Sequence, residues 1–260
     1  SGHLALFQTF FGMENMEEKY MFFTVLLHFG TLISVCMVYW WDIVDMIREF
    51  FLGIAALAGR KDTGVAPPPA RRMVMLIIIA TVPLFVMVFL QDAVNQLFSN
   101  SIMVSCALLA TGFILFFSDR MARGHKTAKN ATVADALIVG CGQALAVIPG
   151  LSRSGTTISV GMMRGFDRAF AVRFSFLMSL PAVLGANVLE IKDALASNFP
   201  IEELPMYLVG VAVSAVVGYF AIRLVKSLSD KGKFGKFAYY CWAVGLGSLV
   251  AGIVKMMLLK

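Results

Sequence analysis

The chain is expected to be an all-α polytopic membrane protein, with six transmembrane helices plus re-entrant helical hairpins in two inverted-topology repeats. Three observations carry that expectation. Of its 260 residues, 59% are hydrophobic and only 15% are charged, and the mean hydropathy is +0.80; a water-facing surface cannot be built from that mixture. Six stretches approach the roughly 20 apolar residues that a bilayer core demands. Basic and non-basic loops alternate between those stretches without violation. The net charge of +6 then reads as loop Lys and Arg setting orientation, and nucleic acid is not an expected partner.

The spans fall at 20–41, 73–90, 101–118, 170–190, 206–226 and 238–258. Lipid offers the backbone no hydrogen bonds, so each is a helix. Pro83 and Pro181 are expected to kink two of them rather than end them. Residues 42–72 carry Arg48, Arg60, Lys61, Arg71 and Arg72; residues 119–130 carry Arg120, Arg123, Lys126 and Lys129; residues 223–236 carry Arg223, Lys226, Lys231, Lys233 and Lys236. By contrast, 91–100 holds no Lys or Arg and 191–205 holds only Lys192. The basic loops are assigned to the cytoplasm, and the first span enters from outside, where Glu14, Glu17, Glu18 and Lys19 lie.

Residues 131–165 are too apolar for a loop, yet Pro149-Gly150 and Arg153 interrupt them. Basic residues flank the segment on both sides, with Arg164, Arg168 and Arg173 following it, so it must enter and leave on one face. That is a re-entrant hairpin, whose non-helical tip is tolerated only where it lines a protein-enclosed cavity. Ser1-Gly2 and Gly12 precede the first span at the offset by which Ser154-Gly155 and Gly165 precede the span at 170–190. Three spans of opposite orientation follow each. The arrangement argues for inverted repeats around a midplane site. The chain is then a single membrane domain over 1–260, with repeat one at 1–118, lacking the start of its hairpin, and repeat two at 131–260.

The stretch from Pro149 to Thr157 carries the chemistry. Gly150 and Gly155 let the backbone approach a ligand. Ser152, Ser154, Thr156 and Thr157 supply hydroxyls, and Arg153 supplies a cationic fork matched to phosphate oxygens. A helix starting near Gly155 adds free N–H groups and its dipole at the same place. Arg153 is too central in the segment to snorkel easily, and an intramembrane charge marks function. His3, beside Ser1-Gly2 and set opposite Arg153 by the repeat, is a candidate general acid–base or nucleophile. His28 lies on a span and His125 in a basic loop, and both read as structural. Cys36, Cys106, Cys141 and Cys241 each sit in an apolar run without CxxC spacing and read as small hydrophobes.

Gln143-Ala144-Leu145-Ala146-Val147-Ile148 followed by Pro149-Gly150-Leu151-Ser152-Arg153-Ser154-Gly155-Thr156-Thr157 resembles the second signature of the bacterial undecaprenyl-diphosphate phosphatase (bacitracin-resistance) family. Ser1-Gly2-His3 is similar to the last three residues of that family's first signature, and hydropathy order and length match over essentially the whole chain. The resemblance implies a hydrolase of the bacterial plasma membrane that removes one phosphate from undecaprenyl diphosphate, recycling the lipid carrier for cell-wall synthesis. It implies interlocked inverted repeats with two re-entrant hairpins. It implies His3, Arg153 and Ser152 as catalytic residues, and Ser1, Gly2, Gly150, Ser154, Gly155, Thr156 and Thr157 as substrate-binding residues. A polyprenyl diphosphate among membrane lipids is the implied partner, with a homodimer allowed, and a divalent cation such as magnesium is the implied cofactor. In the family a Glu-rich stretch and a further Ser immediately precede the Ser-Gly-His; their place here is upstream of residue 1, where the cation's ligands are expected. The chain as written is therefore expected to be a weakly active or inactive fragment.

A polyprenyl-phosphate transporter or flippase is the rival reading, since inverted repeats and a midplane anion site are also transporter architecture. Phosphate release separates the two. The other membrane lipid-phosphatase superfamily places a His and then an Asp soon after its Ser-Arg; no His follows Ser152-Arg153 in this chain, and that reading fails.

Overall fold

A computed structural model describes residue 6 and residues 21–58, 67–90, 101–121, 124–196 and 204–258. Ten α-helices are seen among them: α1 Met21–Val38, α2 Trp40–Ala58, α3 Pro69–Thr81, α4 Leu84–Val88, α5 Ser101–Met121, α6 Val133–Leu145, α7 Arg153–Met163, α8 Arg168–Ala196, α9 Leu204–Asp230 and α10 Phe237–Leu258. The one extended pairing among the described residues is an isolated bridge between Lys126 and Phe166.

The expected spans reappear with shifted ends. Five helical stretches are long and apolar enough to cross a membrane, at Pro69–Met87, Ser101–Met121, Arg168–Gly185, Pro205–Asp230 and Phe234–Met257. At 1.5 Å per residue each reaches about 27 Å or more. Pro83 does more than kink: having no N–H, it ends α3 at Thr81, Val82 N–H turns back to Ile79 O at 3.2 Å, and α4 resumes at Leu84. Pro181 sits within α8 without ending it.

The first span differs from expectation. α1 stops at Val38, and α2 leaves it at 87°. The stretch 42–72, read from its Arg and Lys as a loop, thus opens with a helix of 19 residues. Charge counting marks the side of the membrane but not local structure, and the helical period was there to be read. Trp40, Val44, Ile47, Phe51 and Ile54 form an exposed apolar stripe, while Glu49 pairs with Arg71 of α3 at 3.0 Å. An amphipathic helix turned out of a span in this way suits the membrane surface.

Two close helix seams hold the bundle. Along α1 and α9, the Ser34 hydroxyl donates to Ala215 O at 2.7 Å and the Ser214 hydroxyl to Leu27 O at 2.8 Å. Along α5 and α10, the hydroxyls of Ser105 and Ser248 lie 2.8 Å apart, and Gly112 lets the Trp242 indole lie on its backbone. Small residues allow this approach where lipid provides no hydrophobic drive for helices to associate.

Residues 131–165 form the expected re-entrant hairpin. α6 has 13 residues and α7 has 11, so the arms reach only about 20 Å and 17 Å, short of a core of about 30 Å. The chain enters and leaves side by side: Lys126 N–H donates to Gly165 O at 3.0 Å, and Asp167 N–H to Lys126 O at 2.9 Å. Gly165, with φ +87°, makes the left-handed turn out of α7. Below the tip, Phe166, Phe170 and Phe174 stack in sequence and pack with Leu76, Ile77, Ile158, Met162 and Leu177 into one buried core.

Candidate functional site

The hairpin is held at both its base and its tip. At the base, Thr132 and Asp135 form a reciprocal capping box that starts α6. The Asp135 carboxylate, fully covered, also accepts from Lys126 Nζ at 2.8 Å and from Arg164 at 2.9 and 3.0 Å. Burial by itself would raise its pKa, but Lys126, Thr132 and Arg164 outweigh that and hold the carboxyl at about 2. The group lies at the rim of the protein, screened from water mainly by its partners' side chains. One carboxylate thus ties the start of α6, the end of α7 and the preceding loop together.

All five ion pairs among the described residues lie at this basic end. Besides the two on Asp135 they are Arg71–Glu49, Arg173–Asp42 at 3.1 Å, and Arg168–Asp119. A pocket of about 410 Å³ opens here, lined by Asp42, Asp45, Glu49, Arg48 and Arg173. Two of its carboxylates are already paired, Asp42 with Arg173 and Glu49 with Arg71.

The tip is pinned by α5. Gly150, with φ +96°, has the Val104 carbonyl where a side chain would go: an added Cβ would lie 2.4 Å from that oxygen. The buried Thr111 hydroxyl shares its proton between Ala107 O at 3.0 Å and Gly150 O at 3.1 Å, and accepts from Ser152 N–H at 3.2 Å. Ser152 is the N-cap of α7, its Oγ accepting from Gly155 N–H at 3.1 Å. The helix therefore begins at Arg153, two residues before the expected start. The N–H groups of Arg153 and Ser154 carry no partner among the described residues, and such groups with the helix dipole suit an anion.

The Arg153 side chain is exposed at the tip of the hairpin. No carboxylate among the described residues is paired with it; those of the ion pairs are engaged elsewhere. The hairpin thus brings Gly150, Ser152, Arg153, Ser154 and Gly155 to one place. Thr156 and Thr157 sit one step inside: the Thr157 hydroxyl donates to Arg153 O at 2.9 Å and meets Ser175 of α8 at 2.5 Å, and the buried Thr156 hydroxyl has no partner. Ser1, Gly2 and His3 lie outside the described residues. Thr111 is the residue that sequence reasoning missed, because a lone Thr in an apolar span gives no sign of which neighbour it holds.

For the implied divalent cation, no three His, Cys, Asp or Glu side chains among the described residues come close enough to hold a metal ion. The described part of the site does not fit a cation.

The all-helical bundle, with five helical stretches long and apolar enough to cross a membrane among the described residues, defines the class: a polytopic membrane protein. The family is narrower. Residues 1–247 match the model of the family described as bacitracin resistance protein BacA, and the chain belongs to it. It is 40% identical over 246 residues to an undecaprenyl-diphosphatase of Alkaliphilus metalliredigens (strain QYMF), covering 94% of this chain and 88% of that protein. Undecaprenyl-diphosphatases of Halothermothrix orenii and Methanobrevibacter smithii are 38% and 39% identical, each over 91% of their own length and over 97% and 98% of this chain.

Proposed function

We propose that this protein hydrolyses undecaprenyl diphosphate to undecaprenyl phosphate and orthophosphate, returning the lipid carrier to cell-wall synthesis. The observation that carries the reading is Arg153 itself: a guanidinium with no carboxylate partner among the described residues, at the N-terminus of a helix that starts at the hairpin tip. Phosphoryl transfer is catalysed mainly by positioning and by neutralising charge on the transferring group. Here the Arg153 fork, the N–H groups of Arg153 and Ser154, and the Ser152 and Ser154 hydroxyls converge on the phosphoryl oxygens, with Gly150 and Gly155 allowing close approach. Ser152 keeps its hydroxyl proton free to donate, since its oxygen accepts from Gly155 N–H. His3 completes the catalytic group, with Ser1 and Gly2 beside the substrate. A divalent cation, magnesium by the family resemblance, would draw its ligands from outside the described residues.

Helix packing supports the inverted repeat. Let α1 correspond to α8, the α3–α4 pair to α9, and α5 to α10. The pairs α1–α8 and α5–α10 then map onto themselves, and α1–α9 exchanges with α3–α8; all four are packed together in the structure. Leu6 of the first hairpin region packs on Val104 and Leu108, with Val244 of α10 alongside. The basic ends then face the cytoplasm of the plasma membrane and the polyprenyl tail lies among lipid-facing helices. A homodimer is compatible with this surface.

The test is phosphate release from undecaprenyl diphosphate by full-length protein in detergent, with magnesium or a chelator. Arg153→Ala is expected to lower kcat/KM at least 100-fold, because a charge-assisted bidentate contact is lost, with Arg153→Lys intermediate. Lipid binding without phosphate release by the unmutated protein would falsify the phosphatase reading in favour of a carrier.

A further inference from the structure

The helix α2 leaves α1 at 87°, and the bend is held rather than hinged. Tyr39 N–H donates to Val35 O at 2.9 Å, and Tyr39 O accepts from Ile43 N–H at 3.0 Å, so the backbone ladder enters the bend from both sides. The Tyr39 ring is 4% exposed and stacks on Phe176 of α8 with centroids 6.1 Å apart. α2 therefore has a fixed direction, nearly perpendicular to the span before it, at the end of the bundle where the ion pairs lie.

At about 100° per residue, the side chains of α2 divide into three faces. One meets protein. There Asp42 pairs with Arg173 of α8 at 3.1 Å, Glu49 pairs with Arg71 of α3 at 3.0 Å, and Ile43 and Met46 pack on the buried core. Gly53 belongs to the same face, since a Cβ there would meet the Arg71 side chain at 3.5 Å. The second face spans about 120° and is apolar throughout: Trp40, Val44, Ile47, Phe50, Phe51 and Ile54, all exposed. On the third, Asp45 and Arg48 are exposed and join no ion pair among the described residues, with Trp41 and Leu52 between them on the helical wheel.

A helix that packs on its own protein and otherwise meets water has no use for the second face. A helix crossing the hydrocarbon core would leave the charges of the third face in lipid. Protein, apolar and charged faces in that order fit one place, beside the bundle at the bilayer surface, with acyl chains below and water above. Indoles at the edge of the apolar face suit the same boundary. A second copy is a poorer occupant, because six side chains of one stripe fall far short of the roughly 20–30 residues a side that a stable dimer buries.

We propose that α2 lies flat in the headgroup–acyl boundary of the leaflet at the basic end, its apolar face docked on lipid, and anchors the base of the re-entrant hairpin to that surface. The proposal goes beyond the phosphatase reading and does not depend on it. The route from lipid to hairpin is short. Glu49 holds Arg71, and the neighbouring Arg72 donates to Ala128 O at 3.0 Å and to Ala131 O at 2.9 Å, just before α6 starts. The depth of α2 in the leaflet then sets the height of the hairpin's base.

The experiment places full-length protein in phosphatidylcholine vesicles carrying bromine at defined depths on the acyl chains and reads tryptophan quenching. Trp41→Phe leaves Trp40 as the reporter on α2. Adding Phe51→Trp to Trp40→Phe/Trp41→Phe moves the reporter along the same face, about 16 Å down the helix axis. Trp40→Phe/Trp41→Phe alone supplies the Trp242 background. Both reporters are expected at one depth, about 5–10 Å into the boundary. A depth difference approaching the helical separation overturns the proposal, because α2 then enters the core as the second limb of a broken span. Reporters that no brominated lipid quenches overturn it too, since protein such as a second copy then covers the face. If the Phe51→Trp protein does not fold, Ile47→Trp repeats the comparison over about 10 Å. The anchoring is read by hydrogen exchange in the same vesicles. Phe51→Asp is expected to speed exchange at residues 126–135 roughly tenfold, while Arg48→Gln on the water face leaves it unchanged. Faster exchange in α2 alone, or equally in both variants, overturns the anchoring.

Discussion

Asp135→Asn tests how the hairpin is held. The carboxylate accepts from Lys126 Nζ, from two nitrogens of Arg164 and from Thr132 N–H, all at 2.8–3.0 Å. An asparagine keeps one acceptor oxygen and turns an N–H₂ toward a remaining donor. Removing one partner of a fully buried ion pair costs about 3–5 kcal/mol. Here Lys126 and Arg164 are 34% and 40% exposed and can turn back to water, so about 2 kcal/mol is expected. A native pKa of about 2 against an ordinary 3.8 converts to about 2 kcal/mol, an upper bound for a carboxylate at the protein's rim. For a chain of this size the melting temperature in detergent should fall roughly 4–8 °C. The sign with pH follows from linkage. The depressed native pKa gives Asp135 its full contribution above about pH 4, and that contribution is lost as pH falls toward 2. The wild type should therefore lose its advantage over Asp135→Asn across that interval. Melting curves by intrinsic fluorescence at pH 7, 4 and 2.5 measure both. A variant within 1 °C of wild type at pH 7, or an unchanged gap at pH 2.5, would refute the assignment of the clamp to this carboxylate.

The two remaining predictions concern the tip. Thr111→Val leaves Ser152 N–H without an acceptor, at roughly 1–3 kcal/mol, and should lower kcat in the phosphate-release assay while Thr111→Ser preserves it. Gly150→Ala combines left-handed strain of about 1–2 kcal/mol with overlap on the Val104 carbonyl. It should cost most of the monodisperse protein on size exclusion, whereas Gly165→Ala, where an added Cβ meets only the flexible Lys126 side chain at 3.8 Å, should cost only the strain.

Much of the fold was legible because lipid imposes a simple rule. A run of about 20 apolar residues must be a helix, and loop charges orient it. The hairpin at 131–165 was legible for the same reason, since basic flanks on both sides leave no other path. Arg153 stood out because a charge amid apolar sequence is costly unless it is used. The helix at 40–58 was not legible to an argument that counted its charges and ignored their period. The break at Pro83 was underestimated because a missing N–H can either bend or end a helix, depending on what packs beside it.

The sequence by itself determined the membrane class, the order of spans, the re-entrant segment and the arginine at its tip, since each depends on local composition measured against a known solvent. Only the tertiary structure decided that Thr111 of α5 pins the tip and that Asp135 joins both arms of the hairpin to Lys126. Those contacts join residues far apart in the chain. Which faces of two helices meet is fixed by the packing of the whole bundle, where small residues at the α1–α9 and α5–α10 seams set the distance of approach and thereby the register of everything else.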